Sequence, residues 1–352
     1  MATPKDILVS RLLAFAANRQ IAYGHQDDLA YGHSWTVDDW QNDSLERSDV
    51  KDVAGKYPMV AGFDLGGIEH GAQRNINNVH FGLMRKATLK HIERGGIVTF
   101  SWHVDNILTG GTAWDVSSNQ VVKAVLPGGE KHTEFMLWMK RAADYLESLG
   151  DVAVIFRPWH EHTGGWFWWG QNLCTSDEYK SLFRMTWNYF AKKRGLANIL
   201  WCYSPNGPVT QENYMERYPG DEFIDILGAD FYEAIGTDGL RDSGNRFAAV
   251  LKELLATMTA IAENHRKPIA LSETGLESLP DSTWWTDVLN PAIKDFPLCY
   301  VLTWRNAYNH PRHFFAPWNG FHNAMDFKAF STLDNIVFLD VPPRNCGQTT
   351  NA

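Results

Sequence analysis

The 352-residue sequence has no apolar run approaching the length of a membrane-spanning helix. It is also short of positive charge. With 32 Lys and Arg against 41 Asp and Glu, the net charge is −9 at pH 7. That balance argues against nucleic acid or an anionic membrane as partner and suits an uncharged ligand. The four cysteines (Cys174, Cys202, Cys299, Cys346) show no paired metal spacing and are too sparse for a disulfide scaffold. Cys202 and Cys299 lie inside apolar runs and read as small buried hydrophobes. There is no internal repeat, and no glycine fingerprint for a dinucleotide follows the first apolar run. The opening "MATPKDILVSRLLAF" reads as an amphipathic helix without the basic segment and small-residue cleavage site of a signal peptide. The chain is therefore either cytoplasmic or already stripped of an export signal.

Hydrophobic residues make up 44% and charged residues 21%, ample for a large core. Short β-rich runs recur at 21–26, 57–65, 96–103, 152–161, 198–205, 224–232, 268–275 and 300–306. Several are almost continuously apolar, as parallel strands covered on both faces require. Between them lie helical stretches. Thr133 is placed to cap one before Gly150, and Ser176 to cap another before Gly195; 80–94 and 245–265 are similar. Eight strands alternating with helices predict a single-domain (β/α)8 barrel over 1–340, with 341–352 as a loose tail. A doubly wound open sheet is the alternative. The long segment 104–132 after the third strand is expected to shape the barrel mouth.

Polar residues at the C-terminal ends of barrel strands read as catalytic. Here those ends carry His25, Asp64, His103, Glu161, Tyr232, Glu273 and the pair Trp304–Arg305. Glu161 and Glu273 stand out, because carboxylates in apolar strands must be paired or used. They fall on the fourth and seventh strands, roughly across the barrel, and two facing carboxylates are the minimal apparatus for glycoside hydrolysis. The bland alternative is a structural ion pair with Arg157 or Arg305. A metal reading, with His160 and His162 bracketing Glu161 and Asp105 near His103, is disfavoured. Residues two apart on a strand share a face and leave the intervening Glu pointing elsewhere, and no further barrel-metal spacing occurs. No metal or cofactor is expected. Trp166, Trp168, Trp169 and Trp304, beside the strand ends, read as a platform for the C–H face of a sugar.

The stretches "GHQDDLAYG" (24–32), "SWH" (101–103), "RPWHEHTGGWFWWG" (157–170), "GADFY" (228–232), "LSETG" (271–275) and "TWRNA" (303–307) together resemble glycoside hydrolase family 26, the β-mannanase family. The resemblance runs from about residue 5 to 340. It implies Glu161 as acid/base and Glu273 as nucleophile, with His160 positioning the nucleophile and Tyr232 donating a hydrogen bond to it. It implies that His103, Trp166 and Trp304 line the subsite of the distorted sugar, and that Arg305 reaches the next sugar toward the non-reducing end. His162-Thr163 stands where members often carry Met-Asn, which leaves His162 without an implied role and marks altered leaving-group specificity.

The implied activity is retaining endo-β-1,4-mannan hydrolysis. Chain-end mannobiohydrolase, β-1,3-xylanase and mixed-linkage β-glucanase stand as alternatives within the family. A catalytically silent carbohydrate-binding barrel would have no need of both carboxylates together with Tyr232. His25, Asp64 and, on the long segment, Trp114 are further candidates for contacting sugar. Trp114 would stack beyond the cleavage point, and Asp115 and Lys123 would offer hydrogen bonds. The glycines of 104–132 suit an open groove and internal cleavage. The chain is expected to act as a monomer outside the cytoplasm.

Overall fold

The computed structural model describes residues 2–235 and 239–341. Eight parallel strands form its centre: β1 (Ile21–Gln26), β2 (Val60–Asp64), β3 (Ile97–Ser101), β4 (Val154–Arg157), β5 (Ile199–Tyr203), β6 (Ile226–Glu233), β7 (Ile269–Leu276) and β8 (Leu298–Thr303). Each pairs with the next, and β8 pairs back onto β1 at Ala22↔Tyr300 through His25↔Thr303. That closure makes the sheet a barrel and removes the open-sheet alternative. Tyr57–Pro58 and Ile336–Leu339 add a short ladder at the start of β1. Most of the predicted tail lies outside the described residues.

Boundaries differ from expectation where local chemistry outweighs pattern. Thr133 does not cap its helix, which runs His132–Glu147 behind Lys131 with no side-chain cap bond. Ser176 does not cap either. Thr175 takes that place, because only from 175 does the third helical position fall on Glu178, whose side chain accepts from the cap backbone while Thr175 Oγ1 accepts from Glu178 N. The later helix begins at Leu240, ahead of the expected 245.

The largest difference bears on function. The apolar run 152–161 is strand only as far as Arg157. Beyond it Trp159 and Glu161 both adopt left-handed φ, at 56° and 54°. Non-glycine residues persist in that region only where surroundings over-determine them. Here Tyr179 Oη donates to Trp159 O, Trp159 Nε1 donates to Thr186 Oγ1, and Glu161 N donates to Ser204 O. Glu161 is thus carried on a pinned turn and projects over the barrel mouth.

A second irregularity aims the other carboxylate. The β6–β7 register shifts between Leu271↔Ala229 and Glu273↔Asp230, a bulge at Ser272. Both Ser272 and Glu273 therefore turn toward Asp230, which strict alternation forbids. Gly228 makes the room: a Cβ there would lie 2.6 Å from Ser272 Oγ and 2.9 Å from Cys202 Sγ.

Candidate active site

At the C-terminal mouth of the barrel, Arg157 leaves β4 and reaches inward between two carboxylates. Its Nη1 donates to Asp230 Oδ2 at 2.7 Å and to Ser204 Oγ at 3.1 Å, while Nη2 pairs with Glu273. Ser272 Oγ donates to Asp230 Oδ1 at 2.7 Å, and Tyr232 Oη donates to Glu273 Oε2 at 2.8 Å. Burial, followed by the Glu273 charge, pushes the Tyr232 phenol well above its usual value, so it remains a donor. The anticipated ion pair is thus real for Glu273 and comes from Arg157. Arg305 instead donates to Tyr31 Oη at 3.1 Å.

Glu161 is held differently, with no ion-pair partner among the described residues. Trp166 Nε1 donates to its Oε2 at 2.7 Å, and Asn206 Nδ2 lies 3.3 Å from Oε1. Asn206 is itself clamped: its N–H donates to Thr163 Oγ1 at 2.9 Å, and that hydroxyl donates to Asn206 O at 2.8 Å. Burial, followed by the Glu273 charge, raises the Glu161 pKa to about 7. One oxygen from each of Glu161, Asp230 and Glu273 lies within 4.8 Å of the others. Such a trio can hold a cation, but the Arg157 guanidinium already supplies the positive charge to two of its members. A second trio, Glu69, His70 and Asp105, is similarly close. Its Glu69 carboxylate already accepts from Trp102 Nε1 and from the backbone N–H groups of Gly67 and Asp105, each at 3.0 Å.

The remaining wall is aromatic and imidazole. His103 Nδ1 meets Asp64 Oδ2 at 2.6 Å, and Trp114 stacks on the His103 ring at 5.0 Å and 13°. Trp304 stands edge-on to His103, with ring centres 6.2 Å apart. Burial lowers the His103 pKa and the Asp64 charge raises it; the carboxylate prevails and the net shift is upward. His160 is driven well below its usual value, first by burial and then by Arg157. Its Nε2 sits 3.1 Å from His103 Nε2. Its Nδ1 has no hydrogen-bond partner among the described residues, so His160 makes no hydrogen bond to Glu273, the nucleophile that the resemblance has it position.

Several expectations need correction. Asp64 is fully buried, with its oxygens taken by His103, Ser101 Oγ and Gly66 N, so it orients His103 and cannot touch sugar. His25 is 1% exposed and faces Asp28. It shares a strand face with Tyr23, whose ring stacks on Phe338 outside the barrel, so it is remote from the cleft. Trp168 and Trp169 are core residues with no exposure, their indole N–H groups tied to Val104 O and His160 O. Trp166 and Trp114 are the open faces, at 40% and 50% exposure. Asp115 is taken up by its own turn, accepting from Thr109 Oγ1 and Ser117 N. His160 and His162 do not share a face as expected of strand residues two apart, because the irregular turn beyond Arg157 sends His160 to His103 and packs His162 between Tyr179 and Tyr203.

Asp230 and Asn206 were missed. Asp230 had a signal, an acid two residues before Tyr232 and so on the same strand face. Asn206 had none.

The Trp166 bond has a measurable consequence. Its N–H favours the carboxylate form of Glu161, so Trp166→Phe should raise the Glu161 pKa. If Glu161 is the acid, it then keeps its proton to higher pH, and the alkaline limb of kcat/KM, expected near pH 7 in the native protein, moves upward. A limb that stays or falls would show that Glu161 does not set it.

The model of glycosyl hydrolase family 26 matches residues 7–277. A mannan endo-1,4-β-mannosidase of Bifidobacterium adolescentis is 29% identical over 85% of this chain, which spans only 32% of that protein's length. One from Bacillus subtilis is 28% identical over 74% of this chain and 69% of its own. Among solved structures, a β-mannanase from Bacteroides ovatus superposes with a TM-score of 0.89 at 43% identity, covering 99% of both chains. The catalytic domain of a Bacillus sp. endo-β-1,4-mannanase gives 0.84 at 31% identity, over 96% of this chain and 93% of its own. With a closed barrel and two carboxylates facing each other at its mouth, the chain belongs to glycosyl hydrolase family 26.

Proposed function

We propose that the chain is a retaining endo-β-1,4-mannanase. The observation that carries this reading is the pair Glu161 and Glu273, an oxygen of each within 4.8 Å, in opposite electrostatic settings. Retaining enzymes hold their carboxyl groups about 5–5.5 Å apart, while inverting ones leave roughly 6.5–9.5 Å for a water. Glu161, protonated near neutrality, gives its proton to the glycosidic oxygen as that bond breaks. Glu273, paired with Arg157 and hydrogen-bonded by Tyr232, attacks the anomeric carbon and forms a glycosyl ester. Glu161, now a carboxylate, takes a proton from water, whose oxygen displaces Glu273. Trp304, Trp166 and His103 supply the surface against which the reacting sugar lies, Trp114 the surface beyond the cleavage point, and Arg305 the next contact toward the non-reducing end. No helix among the described residues is long and apolar enough to cross a membrane; the proposed polymeric substrate supports work outside the cytoplasm.

The choice of mannan is supported by the relatives' names, and reducing-sugar release from mannan, xylan and glucan tests it. Mannan should be cleaved at least about tenfold faster than the others; preference for xylan or a β-glucan would reject mannan as the substrate.

A second reading, chain-end cleavage, is favoured by one contact. Asn78 Nδ2 donates to Tyr308 Oη at 2.7 Å, bridging the loops after β2 and β8 on the Arg305 side of the cleft. If the groove is open, galactomannan viscosity falls steeply while few reducing ends have appeared. Disaccharide as the dominant product from the first time point, with viscosity hardly changed, favours the bridge as a closed end.

A further inference from the structure

The stretch "GHQDDLAYG" puts two neighbouring acids just past the end of β1, and neither enters the chemistry above. They part at once. Asp28 pairs with His25, remote from the cleft, whereas Asp27 takes a left-handed φ of 57° and turns its carboxylate toward the loop after β2. The Asp27 N–H donates to Gly62 O at 2.8 Å and its carbonyl accepts from Ala30 N at 2.9 Å, so the conformation is over-determined. We propose, building on the reading of Arg305 as the contact to the second sugar, that Asp27 is a positioning residue for that contact. It holds the guanidinium through the Tyr31 hydroxyl and the rim of the groove through Asn77.

Geometry is the first argument. Tyr31 Oη donates to Asp27 Oδ2 at 2.6 Å, and Asn77 Nδ2 donates to the same oxygen at 2.8 Å. Arg305 Nη1 in turn donates to Tyr31 Oη at 3.1 Å. Asn77 precedes Asn78, whose bond to Tyr308 joins the loops after β2 and β8, and the Tyr31 and Tyr308 rings meet edge to face at 5.4 Å. Three loops thus converge on one carboxylate, which is fully buried and touches no sugar itself.

Charge is the second. Asp27 Oδ1 has no hydrogen-bond partner among the described residues, and a buried carboxylate so incompletely satisfied costs stability. Burial pushes its pKa up to about 6, against the Tyr31 bond and the Arg305 charge. A neutral acceptor would serve Tyr31 and Asn77 as well; the charge is what the guanidinium beyond Tyr31 responds to.

Proton direction is the third. A phenol carries one proton, and burial, followed by the Asp27 charge, drives the Tyr31 pKa well above its usual value, so that proton stays. The short bond commits it to Asp27. The Tyr31 oxygen is then an acceptor for Arg305, which fixes one arm of the guanidinium and leaves the rest of the fork for sugar hydroxyls.

The test is a double-mutant cycle on an activated aryl β-mannobioside, which fills the reacting site and the second one. Asp27→Asn keeps the shape and the acceptor but removes the charge. It should lower kcat/KM about tenfold, mainly through KM, because the second sugar binds without reacting. Tyr31→Phe cuts the same chain at its middle link and should do likewise, which keeps the test decisive if Asp27→Asn does not fold. Arg305→Ala should lower kcat/KM at least as far. The coupling then decides: added to Arg305→Ala, either substitution should cost less than about twofold more. An acid that only supports the fold would lose the same factor in both backgrounds, and that result overturns the proposal. So does an undiminished kcat/KM in either single variant, or an Arg305→Ala protein with native KM. Native protein that leaves the mannobioside uncleaved refutes the substrate assignment instead, and the same cycle on the aryl β-bioside it does cleave then decides the role of Asp27.

Discussion

Glu273→Ala should be inactive on every glycoside, natural or activated, by roughly 10⁴-fold or more, because no bond to the anomeric carbon can form without the nucleophile. Glu161→Ala should behave differently. It should lose about 10²–10⁴-fold on mannan, whose sugar leaving group needs a proton, yet keep the first step on aryl glycosides whose phenolate leaves unaided. Burst kinetics of phenolate release separate the two steps. Equal losses on both substrate types in Glu161→Ala would remove its assignment as the acid. The contrast follows from geometry: Glu273 is paired with Arg157 and accepts from Tyr232, whereas Glu161 has two neutral donors and a carboxylate nearby.

Arg157→Met should give the largest change in stability. It removes the cation from between Asp230 and Glu273, both nearly or fully buried, and breaking such a pair from one side costs about 3–5 kcal/mol. Urea unfolding at neutral pH should report that deficit. The sign with pH is also fixed. Burial already holds the Asp230 carboxyl well above its ordinary range against the pull of Arg157, and removing the guanidinium raises it further, so the added penalty is full at high pH and shrinks as protons bind on acidification. A deficit under about 1 kcal/mol, or one that grows on acidification, would mean the guanidinium is not what makes this cluster tolerable.

How much of this could be read from residues alone depended on regularity. The barrel was legible because eight apolar runs alternate with helices, and β1 was placed to the residue because its pattern is unbroken. Both carboxylates were visible as charged exceptions at strand ends. What was hidden lay where the backbone leaves its periodicity. The strand ends at Arg157, ahead of the left-handed φ at Trp159 and Glu161, and in the irregular segment that follows Trp166 is 40% exposed while Trp168 and Trp169 enter the core. A run of aromatics contains no mark that distinguishes these outcomes. The Ser272 bulge likewise turns two consecutive residues toward Asp230, an arrangement that period-2 reasoning assigns to opposite faces. Asp64 and His25 failed as sugar contacts because a strand-end position does not reveal whether a side chain is already engaged.

The central claim is that Glu273 attacks carbon directly and Glu161 serves as acid and then base. Proton NMR during the first turnovers of a manno-oligosaccharide tests it most directly. Two displacements at one carbon restore its configuration, so the new reducing end should appear first as the β-anomer and only later mutarotate. The α-anomer as first product would contradict the account, since Glu273 would then be activating a water rather than forming a bond.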